Sequence, residues 1–263
     1  MKTTLITSFI TIFLTISVFA QDKPDEMDTD RPNITETPQT VKKGRVQYET
    51  DLLRRDRKNN ELEKQKEWLY NQANLKFGLL KNTDLQFIVQ TYGKRTSSEI
   101  STGKTESREG FGDLTFRIKQ NLKGNENGNF AIALVPYLKF PTNNFSDNKK
   151  YEGGLIVPMK LKLPKEWELS FQVEADRLKD DTDEGMHSEL LNSVNLNHNL
   201  IKKLKAFAES YYTFNFKEHE WNNFLDAALQ YDIKEHVKID AGFNYGLQKH
   251  AEKSVFIGAA FRL

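Results

Sequence analysis

The chain has 263 residues and no cysteine, which excludes disulfide staples, iron–sulfur clusters, thiolate zinc sites and cysteine nucleophiles together. Lysine and arginine (38) nearly balance aspartate and glutamate (37); the net charge of +1 is neutral on nucleic acid, and no nucleic-acid partner is expected. A mean hydropathy of −0.66 resembles that of a soluble protein, but strands with one apolar and one polar face average to the same value.

Met1–Lys2 is a short basic start, Leu5–Phe19 is apolar apart from hydroxyls, and Val18-Phe19-Ala20 presents small residues before Gln21. This pattern predicts a secretory signal peptide over residues 1–20, removed from the mature protein. The run is short of the ~20 apolar residues that a spanning helix needs. Without cysteine there is no site for a lipoprotein anchor. Residues 21–43 form an acidic segment punctuated by proline, in which Asp22, Asp25, Glu26, Asp28, Asp30 and Glu36 stand against Lys23 and Arg31. No linker interrupts residues 44–263, which read as one domain.

That domain alternates with period 2. Arg45–Leu52 sets Val46, Tyr48, Thr50 and Leu52 against Arg45, Gln47, Glu49 and Asp51. Trp68–Leu79, Asp84–Tyr92 and Asp113–Leu122 repeat the pattern, the last with Leu114, Phe116 and Ile118 against Asp113, Arg117 and Lys119. Phe130–Phe140, Leu155–Leu163, Trp167–Ala175, Glu189–His198, Leu204–Phe214, Phe224–Asp232, Val237–Leu247 and Ser254–Leu263 complete the set. Strict alternation specifies half-buried strands. Short turns fall near Lys81–Asp84, Lys123–Gly128, Pro164–Lys165, Asn199–Lys203 and Lys234–His236. Longer connections fall near Arg54–Gln65, Gly93–Gly112, Pro141–Gly154, Arg177–Met186, Lys217–Trp221 and Lys249–Lys253.

About twelve strands with short turns at one end and longer loops at the other predict an all-β fold, an antiparallel transmembrane barrel of the outer membrane with its turns in the periplasm. Strands of about ten residues cross a bilayer at a tilt, and a closed sheet of about twelve strands is too wide for one inward set of apolar side chains to fill. Tyr48, Trp68, Tyr92, Phe140, Tyr151, Trp167, Tyr211, Tyr212, Trp221 and Tyr231 fall near strand ends, where aromatic girdles sit. The last strand ends with Phe261 and Leu263 on its apolar face, like the signal read by the barrel-insertion machinery. Lipid, lipopolysaccharide and that machinery are therefore the expected partners.

With both termini on the periplasmic side, Arg45, Lys76, Lys119, Lys160, Lys162, Lys205, Lys238 and Arg262 are predicted near the inner mouth of the lumen. Glu49, Asp51, Asp113, Glu174, Asp176 and Asp226 are predicted deeper or toward the outer end. A basic inner mouth would thus lie below an acidic upper lumen. The acidic N-terminal segment starts on the basic side, so one expectation is that it docks there as a partial plug; a free leader over a solvated rim is the alternative. The basic mouth would also draw anionic solutes by focusing the local field.

Catalytic motifs are missing. The histidines at 187, 198, 219, 236 and 250 have no metal-ligand spacing on one face and read as rim or loop residues. His187 and Ser188 are adjacent and point to opposite faces, unlike the His and Ser of an outer-membrane phospholipase. No GxSxG, HExxH or phosphate-binding glycine loop occurs. The run Asp180–Glu184 lacks EF-hand spacing and reads as a hydrated external loop. Neither an enzyme nor a cofactor is expected.

Thr29-Asp30-Arg31-Pro32-Asn33-Ile34-Thr35-Glu36-Thr37-Pro38 resembles the TDRPDxTES/TP opening of the outer-membrane transporter family labelled "MetA-pathway of phenol degradation". Gly110-Phe111-Gly112-Asp113-Leu114 resembles that family's GxGD motif ahead of a strand. The resemblance implies an outer-membrane channel or uptake protein for hydrophobic or aromatic compounds. The residues themselves predict an inward set of Gln, Asn, Lys, Glu and Asp with some aromatics such as Tyr70 and Tyr137, which suits small hydrophilic or anionic solutes. Asp30, Arg31 and Pro32 read as a charged turn, with Arg31 available to an acidic lumen residue; Gly112 reads as relief for a turn and Asp113 as an acceptor for loop amides. The leading reading is a passive transporter of small solutes. A non-transporting structural or adhesive barrel and a soluble secreted ligand-binding β-barrel stay open.

Overall fold

The structure, a computed structural model, describes residues 27–60, 62–126, 128–145, 148–180 and 185–263. The predicted signal peptide, the acidic residues Asp22, Asp25 and Glu26, and residues 181–184 of the acidic run lie outside the described residues.

All regular structure among the described residues is strand. In chain order these are β1 (Val46–Asn59), β2 (Glu63–Leu80), β3 (Thr83–Glu99), β4 (Thr105–Gly110), β5 (Leu114–Lys123), β6 (Phe130–Phe140) and β7 (Glu152–Lys162). They continue with β8 (Trp167–Lys179), β9 (Met186–Ile201), β10 (Leu204–Asn215), β11 (Glu220–Lys234), β12 (Val237–Gly246) and β13 (Lys253–Arg262). Pairing is antiparallel throughout, and β1 closes the ring on β13. The inner half of β3 pairs with β5 and its outer half with β4, so β4 and β5 form one passage. Thirteen segments therefore make a closed barrel of twelve crossings, in which no strand edge is left open along the wall.

Burial is inverted relative to a water-soluble protein. Lys119 is 0 % exposed and Lys76, Gln86 and Asn195 are equally enclosed, whereas Ile257 is 54 % exposed and Leu229, Phe243 and Val255 are similar. The polar residues of each strand line the interior and the apolar residues form the outer belt. A soluble up-and-down barrel has the opposite arrangement, so that reading is rejected and the protein is a transmembrane β-barrel. Tyr211 departs from the expected outer aromatics: it faces the lumen, stacked on Phe224 at 4.4 Å, whereas Tyr70, expected inward, faces outward beside Tyr92 because the strand changes phase at this level.

The inner turns are short, as at Lys81–Asn82, Lys202–Lys203 and Glu235–His236. The outer connections differ from expectation. Most of Arg54–Gln65 and Gly93–Gly112 is strand rather than loop, because β1, β2, β3 and β4 continue past the wall as hairpins. The cause is a change of phase. A register shift between Asp51 and Leu53 inserts an extra residue in β1 relative to β13, so the inward set passes from Gln47, Glu49 and Asp51 to Arg54 and Asp56. Asn71, at the same level of β2, has a φ of 52°. A strand that changes phase loses its period-2 signature and reads as loop. Gly112 also has a different role from the one expected. A Cβ there would lie 2.0 Å from Gln90 Oε1, so the glycine permits close packing rather than a turn.

Candidate functional site in the barrel lumen

The segment before β1 does not hang below the barrel. Met27, Asp30, Pro32, Thr35, Glu36, Thr37, Pro38 and Val41 are all buried inside it. The chain enters beside β2 and β3, where Gly44 N–H donates to the Gly78 carbonyl (2.8 Å) and Val41 N–H to Asp84 (2.8 Å). Farther in, Lys119 donates to the Thr37 carbonyl (2.8 Å), Asn121 to the Pro38 carbonyl (2.8 Å), and Glu36 N–H donates to Gln172 (2.8 Å). Ile34 and Thr35 N–H both donate to Glu209 on the opposite wall, each at 2.8 Å. A segment without a ladder of its own thus satisfies its backbone on lumen side chains.

Charge pairing fixes its position. The Asp30 carboxylate pairs with Lys119 at 2.7 Å and with Lys76, and Lys76 pairs in turn with Glu49. Glu49 also accepts Asp30 N–H (3.0 Å) and Arg31 N–H (3.1 Å). Burial by itself would raise the Asp30 carboxyl, but Lys119 and Lys76 outweigh it and hold it well below the ordinary carboxylate range. The Arg31 guanidinium is clamped between Asp51 and Asp240, at 2.6 Å from each. It lies over Gly258, where a Cβ would sit 1.9 Å from Arg31 Nη2, and 5.5 Å from the Phe256 ring centroid. Only a residue without a side chain fits there. Glu36 pairs with Arg117 and, at 3.4 Å, with Lys119; Asp28 pairs with Lys160 at 2.7 Å. The peptide between Arg31 and Pro32 is cis.

The predicted charged residues divide into those that meet this segment and those that do not. Lys76, Lys119, Lys160, Glu49 and Asp51 do. Lys205 pairs with Glu168 and Lys238 with Asp232, each at 3.3 Å. Lys162 is exposed on the rim, where Arg45 and Arg262 stand close enough to feel each other's charge. Asp176 accepts Tyr137 OH (2.7 Å) and Glu174 accepts Gln172 Nε2 (2.8 Å) near Arg117. Asp226 lies opposite Glu209 in register. Asp113 accepts Asn143 N–H and Nδ2–H and anchors an outer loop. Phe261 points outward, and Leu263 N–H donates to the Val46 carbonyl (2.8 Å).

The expected separation into a basic inner layer and an acidic outer layer is not what forms. Glu49 sits beside Lys76, and Arg54, Arg95 and Lys139 occupy the outer half. Opposite charges at one depth solvate each other in a low-dielectric interior, which separate layers would not do. Sequence reasoning also missed Asp240, Glu209, Gln172 and Gly258. Asp240 follows Lys238 on the inward face of β12, a signal that alternation carries; the steric role of Gly258 has no signal in one sequence.

Two spaces flank the segment. An outer vestibule of about 770 Å³ is lined by residues of both signs, among them Asp56, Glu67, Arg95, Lys139 and Glu252. At the inner mouth a pocket of about 40 Å³ lies between the segment and a wall bearing Lys160, Lys205 and Lys238. Among the described residues no cluster of His, Asp or Glu is arranged to hold a metal ion. His187 Nδ1–H instead donates to the Asp180 carboxylate at 2.7 Å.

The fold has solved counterparts. The COG4313 outer membrane channel from Pseudomonas putida F1 superposes with a TM-score of 0.61 at 10 % identity, over 86 % of this chain and 97 % of that one. The NanC porin (TM-score 0.52, 10 % identity, 83 % and 100 % coverage) and the β domain of the Bordetella autotransporter BrkA (0.53, 11 %, 85 % and 100 %) are also similar. These likenesses show the fold. No curated protein matches the chain in sequence. The family described as "Putative MetA-pathway of phenol degradation" matches residues 29–263, from the lumenal Thr29 to the last strand, and the chain belongs to that family.

Proposed function

We propose that the protein is a passive outer-membrane channel for small polar solutes, preferentially anions, and that residues 27–44 act as a partial plug. The observation that carries this reading is the lumen itself: its buried side chains are mostly Lys, Gln, Asn, Asp and Glu, with apolar clusters at Phe207, Ala228 and Phe256 and at Tyr211, Phe224 and Ala251, a predominantly polar surface that water and polar solutes wet. Lys160, Lys205 and Lys238 line the inner mouth, each paired with an acid, and Arg45, Lys162 and Arg262 on the rim supply the positive field there. Structures of similar fold are described as an outer membrane channel and as porins, which supports a channel role. The 1–20 leader is removed on export, and the terminal strand with Phe261 and Leu263 engages the insertion machinery.

The plug is held by ion pairs, so it is releasable. Conductance of the mature protein in planar bilayers, compared with a chain lacking residues 22–40, tests both parts. The reading expects a small conductance that rises when the segment is removed, and faster liposome swelling with small carboxylates than with neutral aromatic compounds. No flux of any solute in either form would favour the structural or adhesive barrel, which the protruding β3–β4 hairpin otherwise recommends.

A further inference from the structure

The outer face of the protruding hairpins carries a charge pattern that the lumen does not explain. Arg57 on β1 stands directly opposite Lys66 on β2 and directly opposite Lys253 on β13. Like charges in directly opposed positions destabilise a sheet. One row nearer the membrane, Arg55 lies opposite Trp68, which lies opposite Lys94 on β3; one row farther out, Lys64 lies opposite Asn59. Among the described outward positions of these strands Glu109 is the single acid, 3.4 Å from Lys94. Arg57, Lys64 and Lys66 make no ion pair among the described residues, and Arg55 Nε has no hydrogen-bond partner.

The inner face of the same strands behaves differently. There Glu67 pairs with Arg95 at 2.6 Å and Asp56 with Arg54 at 2.8 Å. Apart from Glu109, the acids of this stretch are turned to the lumen and pair there, whereas Arg57, Lys64 and Lys66 are turned outward and make no ion pair among the described residues.

Depth identifies what neutralises them. Directly beneath the cations, Tyr70 and Tyr92 pack at 5.7 Å in the same register row as Ile257 and Leu53, and Arg55 lies 5.3 Å over the Trp68 ring. Aromatic rings of this kind mark the membrane–water boundary. Successive rows on one face are about 7 Å apart, so the cations begin at headgroup depth in the outer leaflet. Several cations in adjacent rows match a lipid bearing several phosphates, and guanidinium groups take phosphate oxygens two at a time. We infer that this face, centred on Arg57 and Lys66, binds the phosphate groups of lipopolysaccharide. The inference rests on the outer-membrane placement of the barrel and not on solute passage, so swelling assays and lipid assays fail independently.

The test uses the full mature chain folded in detergent free of lipopolysaccharide, with the unfolding midpoint read from heat-modifiable gel migration. Phosphorylated lipopolysaccharide, its dephosphorylated form, phosphatidylglycerol and inorganic phosphate are added in separate arms. Phosphorylated lipopolysaccharide is expected to raise the midpoint by roughly 5 °C or more, and the other three by little. The double variant Arg57→Gln/Lys66→Gln should lose that rise. Without lipid it should unfold at the same temperature as the parent or above it, because the repulsion is gone; a merely structural role predicts the reverse. The inference is overturned if the parent shows no rise, if the double variant keeps it, or if phosphatidylglycerol or inorganic phosphate matches the effect.

Discussion

The Lys119 ammonium lies 2.7 Å from the Asp30 carboxylate, with Lys119 wholly enclosed and 89 residues separating the two. This pair joins the short segment before the barrel to its wall, and Lys76 completes it from the neighbouring side. Removing one partner of a buried ion pair leaves the other charged and desolvated, at a cost of about 3–5 kcal/mol. Asp30→Asn leaves Lys76 with Glu49 and Lys119 with Glu36, so the lower figure of about 3 kcal/mol applies. The expected outcome is a lower unfolding temperature in heat-modifiable migration together with a larger or noisier single-channel conductance.

The pH response of this attachment has a definite sign. The Asp30 carboxyl is lowered in the folded protein, so its stabilising contribution is complete above the ordinary carboxylate value of about 4 and is lost as pH falls toward the lowered one. Conductance should therefore be flat from pH 8 to about 4, with release of the segment confined to stronger acid. Bilayer recordings across that range check it; a transition between pH 5 and 7 would contradict the assignment.

Gly258→Ala places a methyl group where Arg31 Nη2 now lies. The barrel strand tolerates alanine, as neighbouring Ala259 and Ala260 show, but the guanidinium must leave its seat between Asp51 and Asp240. Hydrogen bonds to charged groups contribute about 1.5–3 kcal/mol each, so losing one shifts the docked-to-released ratio by at least about tenfold. The variant should insert and migrate normally yet show an increased open fraction, and Arg31→Ala should behave alike.

The lipid-facing belt makes a contrasting prediction. Leu229 is 48 % exposed on the outer face of β11. Leu229→Arg should destabilise the inserted barrel by about 2–4 kcal/mol if it lies at the bilayer midplane, read as loss of the heat-modifiable band. Gln230→Arg, one residue along and pointing inward, should spare insertion and change conductance instead.

Legibility in the sequence follows the range of each interaction. Strand positions and the polar and apolar faces were readable because alternation is local: β6 was predicted at Phe130–Phe140 and forms there. The outer halves of β1 to β3 were not, since the phase shift at Leu52 is set by pairing with β13, a strand about 200 residues away, as the Arg54–Phe256 register shows. The acidity of the N-terminal segment and the lysines at the inner strand ends were also visible.

Which carboxylate meets which ammonium was decided only by the tertiary structure. Arg31 meets Asp240 across 209 positions, Thr35 meets Glu209 across 174, and Gly258 has meaning only because Arg31 lies over it. By itself the sequence determined a sheet with a polar side and an apolar side, because side-chain alternation is a property of each strand alone. Barrel closure determined the depth at which opposite charges meet, because that depends on register between strands and on the path of a segment with no periodicity to read.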